Sequence, residues 1–220
     1  MCQCFHKYEE LLRNNRVWVS ERLSVDEKYF EKLSEGQNPP FLFIGCSDSR
    51  KPLDTIIKAE PGELFIHTNI ANQVSLTDMN VLSILEYAIE TLEVEHIIIC
   101  GHYNCGGVEA AYTGKATGLI ENWLMGIKEL KLENKRELQL IENEQEKMDR
   151  LCEINVVAQL KNLCKTSMMH KAFKKGKYPK IHGWIFDIYT GHIKELELPL
   201  EEWKELGFIP KDYEDYVYKE

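Results

Sequence analysis

The 220-residue sequence has only seven prolines, no low-complexity tract, no internal repeat and no long apolar run. A membrane-crossing helix needs about 20 consecutive apolar residues, and the densest apolar cluster here, around Ile97-Ile98-Ile99, falls far short of that. No membrane span is expected. Basic residues are also in the minority: 27 Lys and Arg against 36 Asp and Glu give a formal net charge of -9. Nucleic-acid binding needs a concentrated basic face, so no nucleic-acid partner is expected, and the one basic run, at 171–180, reads as a solvated helix end and loop. The first ten residues turn acidic where a secretory signal would carry its apolar core, which makes the cytosol the expected compartment. The seven cysteines (2, 4, 46, 100, 105, 152 and 164) are odd in number and lack the rhythm of a disulfide scaffold, so they read as thiols or metal ligands. Cys2 and Cys4 have the placement of an acylation or metal-binding pair, although such pairs at a chain end are usually inert.

What is present is an ordinary globular composition, 44% hydrophobic and 29% charged, on a chain of one-domain length. Residues 8–22 carry apolar side chains at helical spacing, and Ser24 with Glu27 has the form of a capping box opening a second helix that Gly36 ends. After Pro39-Pro40, residues 41–46 form a continuous apolar run expected of a strand buried on both faces, and similar runs recur at 64–67 and 96–100. Between the last two, Met79, Leu82, Leu85, Ala88, Ile89 and Leu92 make a helical stripe. Strands alternating with helices predict an α/β fold, a mostly parallel central sheet flanked by helices. Residues 181–188 and 192–196 read as two strands joined near Thr190-Gly191, adding an antiparallel edge strand. The charged stretch 122–169 reads as a solvated helical region. The organisation expected is a single domain over 1–220: a helical arm at 1–36, an α/β core at 39–198 and a tail at 199–220.

Ligands of open parallel sheets gather beyond the carboxyl ends of the strands, and two predicted strand ends are chemically loaded. One finishes in Cys46-Ser-Asp48-Ser-Arg50, the other in Cys100-Gly-His102-Tyr-Asn-Cys105-Gly-Gly107. Cys46, His102 and Cys105 supply two thiolates and an imidazole, a borderline-soft set that suits Zn2+. Three ligands with an open position make a catalytic site, whereas Cys100 could complete a closed structural cage on spacing alone. Asp48 and Arg50, a carboxylate and a guanidinium just after a metal-type cysteine, favour the catalytic reading. Gly106 and Gly107 are expected to let backbone approach the metal loop, with a simple turn as the alternative. Phe43, Val74 and Tyr87 are candidates to line an apolar channel, with plain core as the alternative. The histidines at 6, 67, 96, 170, 182 and 192 have no local metal spacing, and only a proton relay is left open for one facing the site.

These segments resemble the beta-class carbonic anhydrases over residues 8–196. The resemblance is carried by Gly45-Cys46-Ser-Asp48-Ser-Arg50, Glu60-Pro-Gly-Glu63-Leu-Phe, Asn69-Ile-Ala-Asn72, the stretch 96–107, Gly118-Leu-Ile-Glu-Asn-Trp123 and Ile181-His-Gly-Trp184. It implies zinc on Cys46, His102 and Cys105 with Cys100 outside the ligand set, and reversible hydration of carbon dioxide to bicarbonate by zinc-bound hydroxide oriented by the Asp48–Arg50 dyad. It further implies a homodimer or higher oligomer, with the N-terminal helices packed on the partner. Gly106, Gly107, Val74 and Tyr87 are the expected substrate-facing positions. The chain departs from the family pattern at Lys51, where a small aliphatic residue is common, and at Thr68, where Arg is usual. Family members regulated by bicarbonate are similar in a Trp, Arg and Tyr pocket, and Phe43, Thr68 and Phe186 occupy those positions, so that regulation is not expected. Lys51 is expected to replace that missing cation and perturb the site by competing for Asp48, with a solvated lysine as the alternative. The alternatives kept open are a zinc hydrolase for carbon disulfide or carbonyl sulfide, and a non-catalytic zinc-binding homologue.

Overall fold

The structure is a computed structural model that describes residues 3–214, with side chains from residue 6 onward. Cys2 and the Cys4 side chain therefore lie outside the described residues. The chain divides into two compact units between Gln37 and Asn38.

The first unit is a long helix, α1 (Gln3–Val25), and a short one, α2 (Tyr29–Ser34). The capping box expected at Ser24 does not form. Ser24 lies in the last turn of α1 with its hydroxyl on the Glu21 carbonyl, and the Asp26 carboxylate takes the Lys28 amide at 3.0 Å and the Lys32 ammonium at 2.6 Å instead. Aspartate two residues before the amide it accepts makes the turn without the serine. Trp18, Tyr29 and Phe30 meet edge to face at this corner.

The second unit begins with β1 (Phe41–Cys46), α3 (Leu53–Ile57) and β2 (Leu64–Asn69). α4 (Met79–Glu86) runs on through a π-helical turn at Tyr87–Thr91 into β3 (His96–His102). Six helices follow: α5 (Gly106–Thr113), α6 (Leu119–Trp123), α7 (Met125–Glu133), α8 (Lys135–Leu140), α9 (Glu144–Cys164) and α10 (Ser167–Lys175). β4 (Lys180–Phe186), β5 (Ile193–Glu195) and α11 (Leu200–Glu205) complete the described chain. The sheet order is β2-β1-β3-β4-β5, parallel throughout except for β5, which pairs antiparallel with β4 through Trp184↔Glu195 and Phe186↔Ile193. The expected parallel sheet with an antiparallel edge is the observed one.

From β1 the chain steps outward to β2 and then crosses back over β1 to β3. That reversal opens a crevice beyond the carboxyl ends of β1 and β3. Cys46 and His102 are the last residues of those two strands, so the topology alone carries them to the same place.

One face of the sheet presents Leu42, Ile44, Ile97 and Ile99 to the main core, and the other presents Phe43, Ile98, Cys100 and Phe186 to a smaller cluster with Leu53. Strand periodicity makes this division. The main core is closed by α9, which corrects the expectation of a solvated helical region at 122–169. Leu151, Val156, Leu160 and Leu163 are fully enclosed, each contributing about 1.5–3 kcal/mol by burial. α9 sits so close to β3 that a Cβ on Gly101 would lie 2.7 Å from Val156 Cγ2. Trp203, Ile209 and Tyr213, in the segment that follows residue 198, are also buried in this core. No helix among the described residues is long and apolar enough to cross a membrane.

Candidate metal centre

The trio is built from two strand ends and a helix start. Cys46 ends β1, His102 ends β3, and Cys105 immediately precedes α5. Their donor atoms all lie within 4.8 Å of one another, the three side chains are buried, and theirs is the cluster of metal-type groups found among the described residues. The two sulfurs are 3.9 Å apart. His102 Nδ1 lies 2.9 Å from the Tyr103 carbonyl. A carbonyl only accepts, so Nδ1 carries the proton and the Nε2 lone pair faces the thiols. That Nε2 is buried without a hydrogen-bond partner. A buried polar atom left unpaired costs about 1–3 kcal/mol, and two thiols beside it make a donor set that fits a borderline-soft cation.

The sulfurs differ in their readiness to ionise. The Cys105 thiol hydrogen-bonded to Cys46, against the cost of burial and with help from His102 and the Ala71 amide, holds the Cys46 thiol below its ordinary range. Cys105 is pushed upward by that same contact with Cys46 and by burial. The pair thus holds one thiolate readily, and a divalent cation is what would stabilise the second.

Asp48 and Arg50 stand beside the trio. Arg50 donates from Nε to Asp48 Oδ1 at 3.0 Å and from Nη2 to Oδ2 at 2.7 Å, and its backbone amide also reaches Oδ1 at 3.0 Å. The Arg50 side-chain contact is the main reason the Asp48 carboxyl sits well below the usual carboxylate range. Asp48 Oδ2 lies 3.8 Å from His102 Nε2. Arg50 Nη2 also donates to the Asn104 carbonyl at 3.1 Å, tying the dyad to the loop that carries Cys105.

The carbonic anhydrase family profile matches residues 41–193, which include every one of these groups. The chain belongs to the beta-class carbonic anhydrase family. A carbonic anhydrase of Emericella nidulans is 39% identical over 191 residues, covering 87% of this chain and 84% of that protein. A tetrameric beta-carbonic anhydrase from Sordaria macrospora superposes with a TM-score of 0.82 at 39% identity, covering 87% of this chain and 97% of that one. A Coccomyxa beta-carbonic anhydrase solved with acetazolamide gives 0.83 at 34% identity, covering 89% and 90%.

In this member of the beta-carbonic anhydrases, Cys100 is set apart from the trio. It belongs to the smaller cluster with Phe43 and Ile98, while Cys46 and Cys105 belong to the main core, and its thiol donates to the Gly101 carbonyl at 3.3 Å. Strand parity turns it to the other face from Cys46. Lys51 does not compete for Asp48 either. Its side chain is only 6% exposed, and the ammonium donates to the Cys100 carbonyl at 3.2 Å and lies 5.2 Å from the Phe43 ring centroid.

Phe43 and Val74 belong to different clusters, and Tyr87 is 44% exposed with its ring against Phe65. Of the two glycines, Gly106 has open space where a Cβ would stand, whereas a Cβ on Gly107 would lie 3.0 Å from Ile70 Cγ2 and 3.1 Å from Ala71 Cβ. Close approach is therefore a property of Gly107. Gly107→Ala is expected to lower stability by about 1–3 kcal/mol, as overpacking does. Urea unfolding of the two proteins measures it.

The residues that sequence reasoning missed are those holding the loops. Ala71 and Asn72 follow β2 in the left-handed region, at φ 62 and 48. Asn155 on α9 donates to the Ala71 carbonyl at 3.0 Å, and Gln159 accepts the Val74 amide at 2.8 Å. Polar side chains on the buried face of a helix carry no mark in sequence that separates them from solvated ones.

Proposed function

We propose that the chain binds one zinc ion through Cys46, His102 and Cys105 and interconverts carbon dioxide and bicarbonate. The observation that carries this reading is the unpartnered His102 Nε2, buried against two thiols with an ionised Asp48 beside it. Zinc bound there supplies Lewis acidity toward water, tempered by two thiolates that cancel its charge, so the activity profile leans alkaline. Asp48 accepts a hydrogen bond from the attacking oxygen and aims its lone pair at the carbon. With both Asp48 oxygens engaged by Arg50, the carboxylate is kept in that orientation and away from the ligand position. Gly106, Gly107, Val74 and Tyr87 are the proposed substrate-facing set. The exposed Tyr87 ring suits a site completed by a second copy of the chain, in keeping with a homodimer or higher assembly. All five described cysteines are unpaired, as a reducing cytosol would keep them.

Stopped-flow carbon dioxide hydration by the zinc-loaded protein tests the reading. Turnover that rises toward alkaline pH and vanishes on chelation is expected. A fully metallated protein with no hydration above buffer would falsify it, and turnover of carbonyl sulfide instead would transfer the site to a sulfur analogue.

A further inference from the structure

The two proposed ligands supplied by the end of β3 and the loop after it, His102 and Cys105, are separated by Tyr103 and Asn104. Tyr103 is tethered at three points. Its carbonyl accepts His102 Nδ1–H at 2.9 Å, its amide donates to the Phe186 carbonyl on β4 at 3.1 Å, and its hydroxyl donates to Glu153 Oε1 on α9 at 2.6 Å. Asn104 takes up the left-handed region at φ 55, with its carbonyl held by Arg50. Two of these tethers are backbone bonds that any residue could make. The third depends on one phenolic oxygen and one carboxylate.

Glu153 is an unusual acceptor. It is buried, yet it takes Lys194 on Oε1 and Arg150 on Oε2, each at 2.7 Å, as well as the Tyr103 hydroxyl. Burial opposes ionisation, but Lys194, Tyr103 and Arg150 together hold its carboxyl below the ordinary value. The Tyr103 hydroxyl thus donates to a carboxylate that two cations also hold, a charge-assisted hydrogen bond of the stronger kind.

We infer that Glu153 is a positioning residue for the metal loop: through the Tyr103 hydroxyl it fixes the carbonyl that sets the His102 tautomer and ring direction. The inference rests on the zinc reading of the trio and deepens it. Groups that orient metal-bound histidines contribute strongly to affinity, and removing them costs about 10–100-fold. Here the orienting group is itself oriented from another element, α9, which would make metal affinity depend on a helix that supplies no ligand.

Zinc affinity by chelator competition, the absorption bands of the cobalt-loaded protein and the melting temperature of the metal-free protein are measured for wild type, Tyr103→Phe, Glu153→Gln and Glu153→Ala. Tyr103→Phe removes one oxygen and keeps the ring. It is expected to bind zinc about 10–100-fold more weakly and to shift the cobalt bands, which report ligand directions. Glu153→Gln keeps an acceptor for the hydroxyl and should lose less than Glu153→Ala. If Glu153→Ala does not fold, Tyr103→Phe carries the test. A Tyr103→Phe protein with wild-type zinc affinity and unchanged cobalt bands overturns the latch alone, even if its metal-free form melts lower. Wild type that takes up no zinc overturns the zinc reading and the latch with it.

Discussion

Cys46→Ser should leave the protein folded but unable to retain zinc, with hydration activity lost altogether. The thiol at this position ionises more readily than its partner because the Cys105 thiol, His102 and the Ala71 amide favour its thiolate over the cost of burial. A serine hydroxyl does not ionise under these conditions and offers a hard, neutral oxygen to a borderline-soft metal. Structural zinc sites in zinc-finger peptides, which also use thiolate and imidazole ligands, carry apparent binding free energies of about 10–16 kcal/mol. If one ligand of three accounts for about a third of that, the loss is about 4 kcal/mol, or about 10³-fold in affinity. Zinc content after dialysis against a chelator, measured beside Cys100→Ser, gives the contrast. Cys100 faces the smaller cluster and bonds to the Gly101 carbonyl, so its replacement should retain both metal and activity. Zinc lost from Cys100→Ser but retained by Cys46→Ser would reverse the ligand assignment.

The contrast between these two cysteines also marks how far the sequence could be read. β1 and β3 were legible because strands buried on both faces show continuous apolar runs, and the candidate trio was legible because it stands at or just beyond the ends of those runs. Period-two alternation through 96–102 places Cys100 with Ile98, away from Ile97 and Ile99, once β3 is known to be a strand. What spacing could not give was anything decided by a partner distant in sequence. α9 reads as solvated because Glu153, Asn155 and Gln159 are polar, yet all three are buried and bonded to groups 41 to 85 residues away. A buried polar group is stable only with its partners in place, and those partners exist only after the sheet has formed. The same holds for Lys51. Read in sequence it lies next to Arg50 and invites a contest for Asp48; in the fold its stem turns into the smaller cluster and its ammonium ends on a strand carbonyl. Ala71 is the extreme case. Nothing about alanine suggests the left-handed region, and it is held there by the Asn155 bond to its carbonyl and by the close approach of Gly107.

Removing either half of the dyad is expected to reduce hydration by about 10²–10⁴-fold while zinc stays bound, the range for a lost proton-handling or orienting group. The variants differ in why. Asp48→Asn keeps the shape of the side chain but exchanges an acceptor-only carboxylate for an amide that can also donate, so the attacking oxygen is no longer held in one orientation. Arg50→Leu leaves Asp48 ionised. An unperturbed aspartate titrates near about 3.9, and the Arg50 contact moves the Asp48 carboxyl below that, so at neutral pH the carboxylate is charged with or without its partner. Arg50 therefore acts on geometry rather than on charge. Its two side-chain bonds to Asp48 and its bond to the Asn104 carbonyl go together, freeing the carboxylate to turn toward the metal. The pH profile of Arg50→Leu should keep the alkaline lean of wild type at reduced amplitude, and an added acid limb near neutral pH would show that Arg50 controls ionisation after all. Stability has the complementary dependence. A carboxyl whose folded pKa is depressed contributes fully above its unfolded value and loses that contribution as pH falls through the folded one. The stability difference between wild type and Asp48→Asn should thus be constant from neutral pH down to about pH 4 and shrink only below it, which acid titration of urea unfolding would measure.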